Sequence, residues 1–323
     1  MNNSTEKISI IGGSGFVGSS LSSKFIALDK SFEIIDIKEN ILFEDKTKIA
    51  DVTDIDELTS KVSGNILINL AAEHRDDVKP ISRYDHVNIE GAKNICKLAE
   101  LKGIEKIIFT STVAIYGLSD EQKNEESEIN PFNDYGRTKW EAEKVFTSWQ
   151  QKDPNRRTLV IIRPTVIFGK NNRGNVYNLL KQINSGFFIP IGKCRNIKSM
   201  AYVENVASFI NHTISDVPGI HIYNYADKPD LELNKIIEIA SLSLGKKFNK
   251  NIYLPYFLGL VIGYIADFIS YLLRVNLPIS SIRVKKFAAN TSYSSINIKG
   301  FEDVIRIEDA LKETINYEFN EPI

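Results

Sequence analysis

The sequence predicts an α/β fold, a doubly wound parallel sheet with a second, smaller domain attached to it. Two observations predict it. Short apolar runs alternate with helical stretches through the first half of the chain, the pattern of parallel strands covered on both faces. After Arg163-Pro164 that alternation gives way to loops rich in Gly, Asn and Lys between residues 169 and 198. A length of 323 residues, 43% of them hydrophobic, supplies core enough for one large unit or for two domains.

Taken in order, residues 7–11 (KISII) open the sheet as a buried strand and lead through a glycine turn into a helix over 15–28. Apolar strands follow at 33–37 and 65–70, a crossover helix at 88–101, and further strands at 106–110 and 159–162. The first domain is expected over 1–168 and to take back 201–228, whereas 169–200 and 229–323 form the smaller, substrate-facing domain. No internal repeat or low-complexity linker separates the two, so a shared interface is expected.

Composition excludes several classes of function. Lys plus Arg is 40 against 41 for Asp plus Glu, a formal net charge of -1, so there is no broad electrostatic footprint for nucleic acid. Cys96 and Cys194 lie far apart with no CxxC spacing or His cluster, which predicts a reducing compartment, buried thiols and no metal site. The polar start, Met1 to Lys7, lacks the charged and hydrophobic regions of a signal peptide, and a cytoplasmic protein is expected. Residues 254–273 (LPYFLGLVIGYIADFISYLL) have Asp267 as their only charge. Pro255, two glycines and the Asp disfavour a single spanning helix there. What remains is peripheral membrane contact through scattered tyrosines, or a pair of short core helices broken near Gly263. Composition leaves the assembly open, a homodimer included.

The first candidate site is the turn Gly12-Gly13-Ser14-Gly15-Phe16-Val17-Gly18, with glycines spaced GxxGxxG between strand and helix. Glycine allows the tight turn and lets backbone N–H groups approach a diphosphate at the positive helix end. Asp36 ends the next strand, eighteen residues past Gly18. It can accept from both ribose hydroxyls and would repel a 2′-phosphate, which favours NAD over NADP, a preference that Lys38 softens. Asp51-Val52 is placed to cover the adenine, and the small residues of Leu70-Ala71-Ala72 allow close cofactor approach.

The second is Tyr135-Gly136-Arg137-Thr138-Lys139, which puts Tyr and Lys at i and i+4 on one helix face. A phenol with an ordinary pKa near ~10 becomes a base at neutral pH only if positive charge stands beside it. The Lys139 ammonium is expected to supply that charge together with a nicotinamide ring. Thr112, in Ser111-Thr112-Val113-Ala114-Ile115-Tyr116-Gly117, brings a hydroxyl to the carboxyl end of its strand, where open α/β sheets bind ligands, and Arg163-Pro164-Thr165 closes the same edge.

With GxxGxxG, Asp36, Asp51-Val52, LAA, Asn88, STxxxYG, YxxxK and RPTVIFG in hand, the chain resembles the extended short-chain dehydrogenase/reductase family, the NAD-dependent sugar epimerases and dehydratases. The resemblance covers essentially the whole length. It implies a Rossmann domain holding NAD, Tyr135 as base, Thr112 beside it on the substrate alcohol, and Lys139 also on the nicotinamide ribose.

Dehydratases of that family carry an Asp-Glu pair directly after the catalytic Thr. Val113 and Ala114 stand there, neither can transfer a proton, and epimerisation or carbinol oxidation remains. The stretches 70–78, 172–182, 198–203 and 281–287 resemble a bacterial subgroup, the 4-epimerases of N-acetylglucosamine carried through diphosphate on undecaprenol, which serve surface-polysaccharide (O-antigen, lipopolysaccharide) synthesis. That likeness implies a lipid-linked sugar substrate and a place at the cytoplasmic face of the inner membrane. Lys198 stands where nucleotide-sugar epimerases carry a diphosphate-binding Arg, and it offers a point charge rather than a fork. Arg173, Lys198 and Arg283 are the diphosphate candidates, and His74 and Arg75 follow an apolar strand at the crevice edge. A nucleotide-sugar 4-epimerase or 4-dehydrogenase is the nearest alternative. Intact Thr112, Tyr135 and Lys139 argue against a non-catalytic NAD-binding scaffold.

Overall fold

Strand β1 (Ile8–Ile11) turns through glycines into helix α1 (Phe16–Ala27), and β2 (Phe32–Asp36), β3 (Thr47–Ile49), α2 (Ile55–Lys61) and β4 (Ile66–Asn69) follow. A helical turn, α3 (Ser82–Tyr84), passes through a π-helical segment, Asp85–Glu90, into α4 (Gly91–Lys102), then β5 (Lys106–Thr110), α5 (Asp134–Gln151) and β6 (Thr158–Pro164). Beyond these come β7 (Val166–Phe168), α6 (Asn175–Asn184), β8 (Ile197–Lys198), β9 (Met200–Tyr202), α7 (Val203–Thr213) and β10 (Gly219–Tyr225). The chain continues through β11 (Leu231–Glu232), α8 (Leu233–Ser243), α9 (Tyr256–Leu273), α10 (Ser281–Ala288) and α11 (Ile307–Ile315). This computed structural model describes residues 6–75, 78–186, 188–249, 252–275, 277, 279–302 and 304–320.

The central sheet has seven strands in the order β10-β6-β5-β4-β1-β2-β3, every neighbouring pair parallel. The apolar runs are near-continuous because alternate residues feed opposite faces. Ile11, Ile35, Leu67 and Ile107 pack against α2, α4 and α5 through Leu58, Leu98 and Phe146. Ile10, Ile34, Ile68 and Ile108 pack against α1 and α7 through Phe25 and Phe209. The winding reverses between β1 and β4, which opens a crevice at their carboxyl ends. A third core gathers Phe168, Leu180, Leu231, Ile236 and Leu311, with the short ladders β7–β9 and β8–β11 beside it.

The expected strands stand within a few residues of their predicted ends, and two strands of the sheet are additional. β3 is three residues long, and β10 (GIHIYNY) is an edge strand whose half-exposed, polar-interleaved pattern is no buried run. The helix expected from 88 begins in the π-helical segment at Asp85. Residues 256–273 form one unbroken helix without a break at Gly263, so the expected pair of short core helices is replaced by a single, largely exposed one.

Candidate active site

Close backbone approach builds the glycine turn. Gly12 has φ 79, its N–H donates to Ile35 O at 2.8 Å, and a Cβ placed on it would stand 2.5 Å from Ala71 N. The turn is therefore pressed directly onto Leu70-Ala71, and the two cofactor segments read from the sequence meet. A Cβ on Gly18 would stand 2.5 Å from Gly13 Cα, which fixes how α1 leaves the loop. Gly15 caps α1 without any side-chain hydrogen bond, so no side chain competes for the N–H groups of the first turn, Phe16 and Val17 included.

Asp36 stands at the mouth of this turn. Its Oδ2 accepts from Ser14 N at 2.9 Å and its Oδ1 from Lys38 N at 3.2 Å. Ser14 Oγ donates to Lys38 O at 2.7 Å. The sequence reading missed Asn40, which is buried and donates to Gly13 O at 3.2 Å and to Ser19 Oγ at 3.0 Å. Ala50 N donates to Asp36 O at 3.0 Å, so Asp51 begins beside Asp36, and Asp51 Oδ1 accepts from Thr53 N at 2.8 Å. Val52 is buried against Gly91, at the start of α4.

The candidate pair Tyr135 and Lys139 stands on α5. Asn133 caps α5 by accepting from Gly136 N at 2.9 Å, and Tyr135 follows in the first turn. A Cβ on Gly136 would stand 2.7 Å from Ala114 O, so the glycine after Tyr135 lets α5 close onto the turn that carries Thr112. Thr112 Oγ1 accepts from Ala114 N at 3.1 Å and shares a hydrogen bond with the Tyr135 hydroxyl. Lys139, 2% exposed, holds its Nζ 4.2 Å from the Phe109 ring centroid.

Burial sets the charge balance of the chain without cofactor. Burial pushes the Tyr135 phenol up to about 12, opposed by the Thr112 hydrogen bond. Burial also pulls Lys139 down to about 7, opposed by the Glu143 carboxylate one turn along the helix. The physical reason is shared desolvation: the surroundings that exclude water from the phenol disfavour the neighbouring ammonium as well.

Two polar networks fix this geometry. Asn88, in the π-helical segment, accepts from Glu73 N at 2.8 Å and donates to Thr138 Oγ1 at 2.9 Å, tying the end of β4 to the helix between Tyr135 and Lys139. Glu143 holds Arg163 through two bonds, of 3.0 and 2.6 Å. Arg163 Nη1 donates to Tyr116 Oη at 2.7 Å, and Tyr116 donates to Asn224 Oδ1 at 2.8 Å. Glu143 and Asn224 were not anticipated. The signal for Glu143 was its i+4 spacing from Lys139, while Asn224 enters from the unrecognised β10. Ser111 Oγ and Thr165 Oγ1, at the ends of β5 and β6 on either side of Thr112 and Pro164, are buried without a hydrogen-bond partner. Those orphaned hydroxyls and the uncapped glycine cradle fit the two ends of a dinucleotide.

The substrate candidates are only partly gathered. His74 and Arg75 are exposed just past β4, and the Arg75 carbonyl accepts from Tyr84 Oη. Lys198 Nζ donates to Lys286 O at 3.1 Å and Ala289 O at 2.8 Å, at the end of α10, and burial pulls it down to about 8. Arg283 lies in the first turn of the same α10. Arg173 is held elsewhere, paired with Glu318 at 2.8 Å and stacked 4.4 Å from the Tyr177 ring centroid.

The sequence model of the NAD dependent epimerase/dehydratase family matches residues 8–226, more than half of the chain. A relative from Escherichia coli O157:H7, N-acetyl-alpha-D-glucosaminyl-diphospho-ditrans,octacis-undecaprenol 4-epimerase, is 43% identical over 318 residues, 97% of this chain and 96% of its own. The solved UDP-glucose 4-epimerase of Thermotoga maritima, with UDP-glucose, aligns with TM-score 0.75 at 17% identity over 96% of this chain and 98% of its own. The UDP-glucuronic acid 4-epimerase of Bacillus cereus, in complex with NAD, aligns with TM-score 0.70 at 16% identity over the same 96% and 98%. The likeness to these two structures is one of fold.

Proposed function

Since the chain belongs to the NAD dependent epimerase/dehydratase family, we propose that it inverts C4 of N-acetylglucosamine linked through diphosphate to undecaprenol, giving N-acetylgalactosamine for surface polysaccharide. The observation that carries this reading is the extent of the identity with the lipid-linked-sugar 4-epimerase. It covers 97% of the chain and so continues beyond residue 226, where the family match ends, into the part that this reading gives to the substrate. In this reading residues 1–168 with 201–228 hold the cofactor, and 169–200 with 229–323 hold the lipid-linked sugar. The enzyme acts at the cytoplasmic face of the membrane that carries the lipid.

NAD, when bound, supplies the hydride acceptor and donor and a positive ring near the phenol. The uncapped start of α1 and Gly15 take its diphosphate, Asp36 its ribose hydroxyls, and Ser111, Thr165 and Lys139 lie toward its nicotinamide end. Tyr135 Oη takes the proton of the C4 hydroxyl as the C4 hydrogen leaves with its electron pair, and returns that proton when the hydrogen comes back on the opposite face. Thr112, hydrogen-bonded to Tyr135, can donate to the C4 oxygen and hold it in line. Between the two transfers the 4-keto sugar must turn over while its diphosphate stays anchored, the role of Lys198 and Arg283. Val113 and Ala114 offer no acid or base for losing water, so the ketone can only be reduced again.

The test is to offer undecaprenyl-diphospho-N-acetylglucosamine and UDP-N-acetylglucosamine separately to the purified protein and identify the hexosamine after acid release. N-acetylgalactosamine is expected from the lipid-linked sugar, with no net NADH. Conversion of the nucleotide sugar alone would overturn the reading in favour of a nucleotide-sugar epimerase, and steady NADH accumulation would indicate a dehydrogenase.

A further inference from the structure

Helix α9 is the reverse of a soluble amphipathic helix. The residues it buries are the small ones, Gly259, Gly263 and Ala266, which form one stripe at i, i+4 and i+7. That stripe fits tightly: a Cβ on Gly259 would stand 2.7 Å from the Ile191 side chain, and one on Gly263 would stand 2.8 Å from Ser281 Cα. The large apolar side chains face away from the protein, with Phe257 70%, Phe268 66% and Tyr271 84% exposed. Small residues against protein and large ones outward is the arrangement of a helix whose solvent is lipid.

We propose that α9 lies in the surface of an anionic phospholipid bilayer, with α10 supplying cations to the headgroups. The inference deepens the lipid-linked reading and rests on it for its purpose, since substrate and helix would share one membrane. Three observations choose a bilayer over a second copy of the chain. At about 100° per residue, the exposed large side chains from Phe257 to Leu273 cover roughly 200° of the helix circumference, about twice the stripe of about 100° that a helix buries against a core. Residues 246–290 carry seven cations and one acid, Asp267, in a chain whose net charge is -1. The Asp267 carboxylate is already occupied, accepting from Ser281 N at 3.1 Å at the start of α10, while Lys285 Nζ stands 5.5 Å from the Tyr264 ring centroid at the edge of the apolar surface. Positive charge bordering aromatic and aliphatic side chains complements anionic headgroups over hydrocarbon.

The packing of α10 also fixes the pose. Ser281 meets α9 at Gly263, near its middle, and Lys285 lies beside Tyr264. Were α9 to span the bilayer, Arg283, Lys285 and Lys286 would be carried to hydrocarbon depth, at a large cost. With α9 in the plane of the surface they reach the headgroups. The same α10 ends on the carbonyls of Lys286 and Ala289 that hold Lys198, so the element that meets the lipid is joined to a candidate diphosphate residue.

The experiment is flotation of the full chain with vesicles, without substrate. Wild type is expected to float with phosphatidylglycerol-containing vesicles and several-fold less with pure phosphatidylcholine. The triple variant Phe257→Ser, Phe268→Ser, Leu272→Ser should lose at least tenfold of the vesicle-bound fraction with unchanged melting temperature. Lys285→Glu with Lys286→Glu should abolish the preference for anionic lipid. Wild type that stays in the aqueous fraction with both vesicles overturns the proposal, as does an oligomer that the serine variant converts to monomer, since the helix would then be a protein interface. Vesicle binding without turnover of the lipid-linked sugar would sink only the substrate reading. Turnover of that sugar in detergent without vesicle binding would sink only this one.

Discussion

Replacing Lys139 by Met should make the protein without cofactor more stable while it inactivates the enzyme. Burial lowers Lys139 from 10.5 to about 7. At about 1.4 kcal/mol for each pH unit, the buried ammonium costs the fold ~5 kcal/mol at most. Its contact with the Phe109 ring, 4.2 Å away, returns about 2 kcal/mol, and a Met sulfur against the same ring returns ~1 kcal/mol. Methionine is of similar length and needs no hydration, so the variant should gain roughly 3 to 4 kcal/mol, or about 6–8 °C in Tm for a chain of this size. The sign follows from proton counts: between about pH 7 and 10.5 the unfolded chain holds a proton on Lys139 that the folded chain lacks, so wild-type stability rises through that window. The cost is fully present below pH 7 and is lost toward pH 10.5. Calorimetry of cofactor-free wild type and variant at pH 6 and pH 9.5 should show the full gap at pH 6 and a much smaller one at pH 9.5, where about 1.4 kcal/mol of the cost remains, with turnover down at least ~100-fold and NAD held more weakly. A variant that melts below wild type at pH 6, or a gap that ignores pH, would refute the desolvation argument.

Tyr135→Phe should leave Tm and NAD content within error of wild type and reduce turnover by ~1000-fold or more, because only the ionisable oxygen is lost. Activity within a few-fold of wild type would remove Tyr135 from the base role. Glu143→Gln strands the Arg163 guanidinium in a site where both partners are almost fully buried. Breaking such a pair costs about 3–5 kcal/mol, so Tm should fall by ~6–10 °C. Lys139 also loses the carboxylate that holds its pKa up, so the pH–rate profile should shift to lower pH. An unmoved profile would leave Glu143 a purely structural residue.

The parts of the fold legible in the sequence were those whose side chains obey one simple rule. Strands β1, β2, β4, β5 and β6 are buried on both faces and so read as near-continuous apolar runs, with Ser9 and Glu33 as buried polar exceptions. β10 is an edge strand with His221, Tyr223 and Asn224 interleaved, and nothing in its composition separates it from a loop until its pairing with β6 is known. The site divides along the same line. Gly12, Asp36, Thr112, Tyr135 and Lys139 were visible because local geometry demands those residue types at those spacings. Asn40 and Asn224 act across the fold, through bonds to Gly13 and Tyr116, and such partners leave no mark at short sequence range, while Glu143 left only its i+4 spacing from Lys139.

Charge was the least legible property, for a reason that Tyr135 makes plain. The YxxxK spacing fixes that phenol and ammonium share a helix face, but whether the ammonium is charged depends on how much water reaches it, and that is set by neighbours such as Phe109 from another strand. Burial raises Tyr135 to about 12 and lowers Lys139 to about 7, so the chain by itself disfavours both the phenolate and the ammonium. Helix α9 poses the same problem in packing. With Leu, Ile, Phe, Tyr and Gly on its faces, the sequence could not say which side turned inward. The contacts of Gly259 and Gly263 decide it, because only a side without side chains lets Ile191 and Ser281 come so near. Once the small stripe is spent on the protein, every large apolar side chain that remains must find its partner outside it.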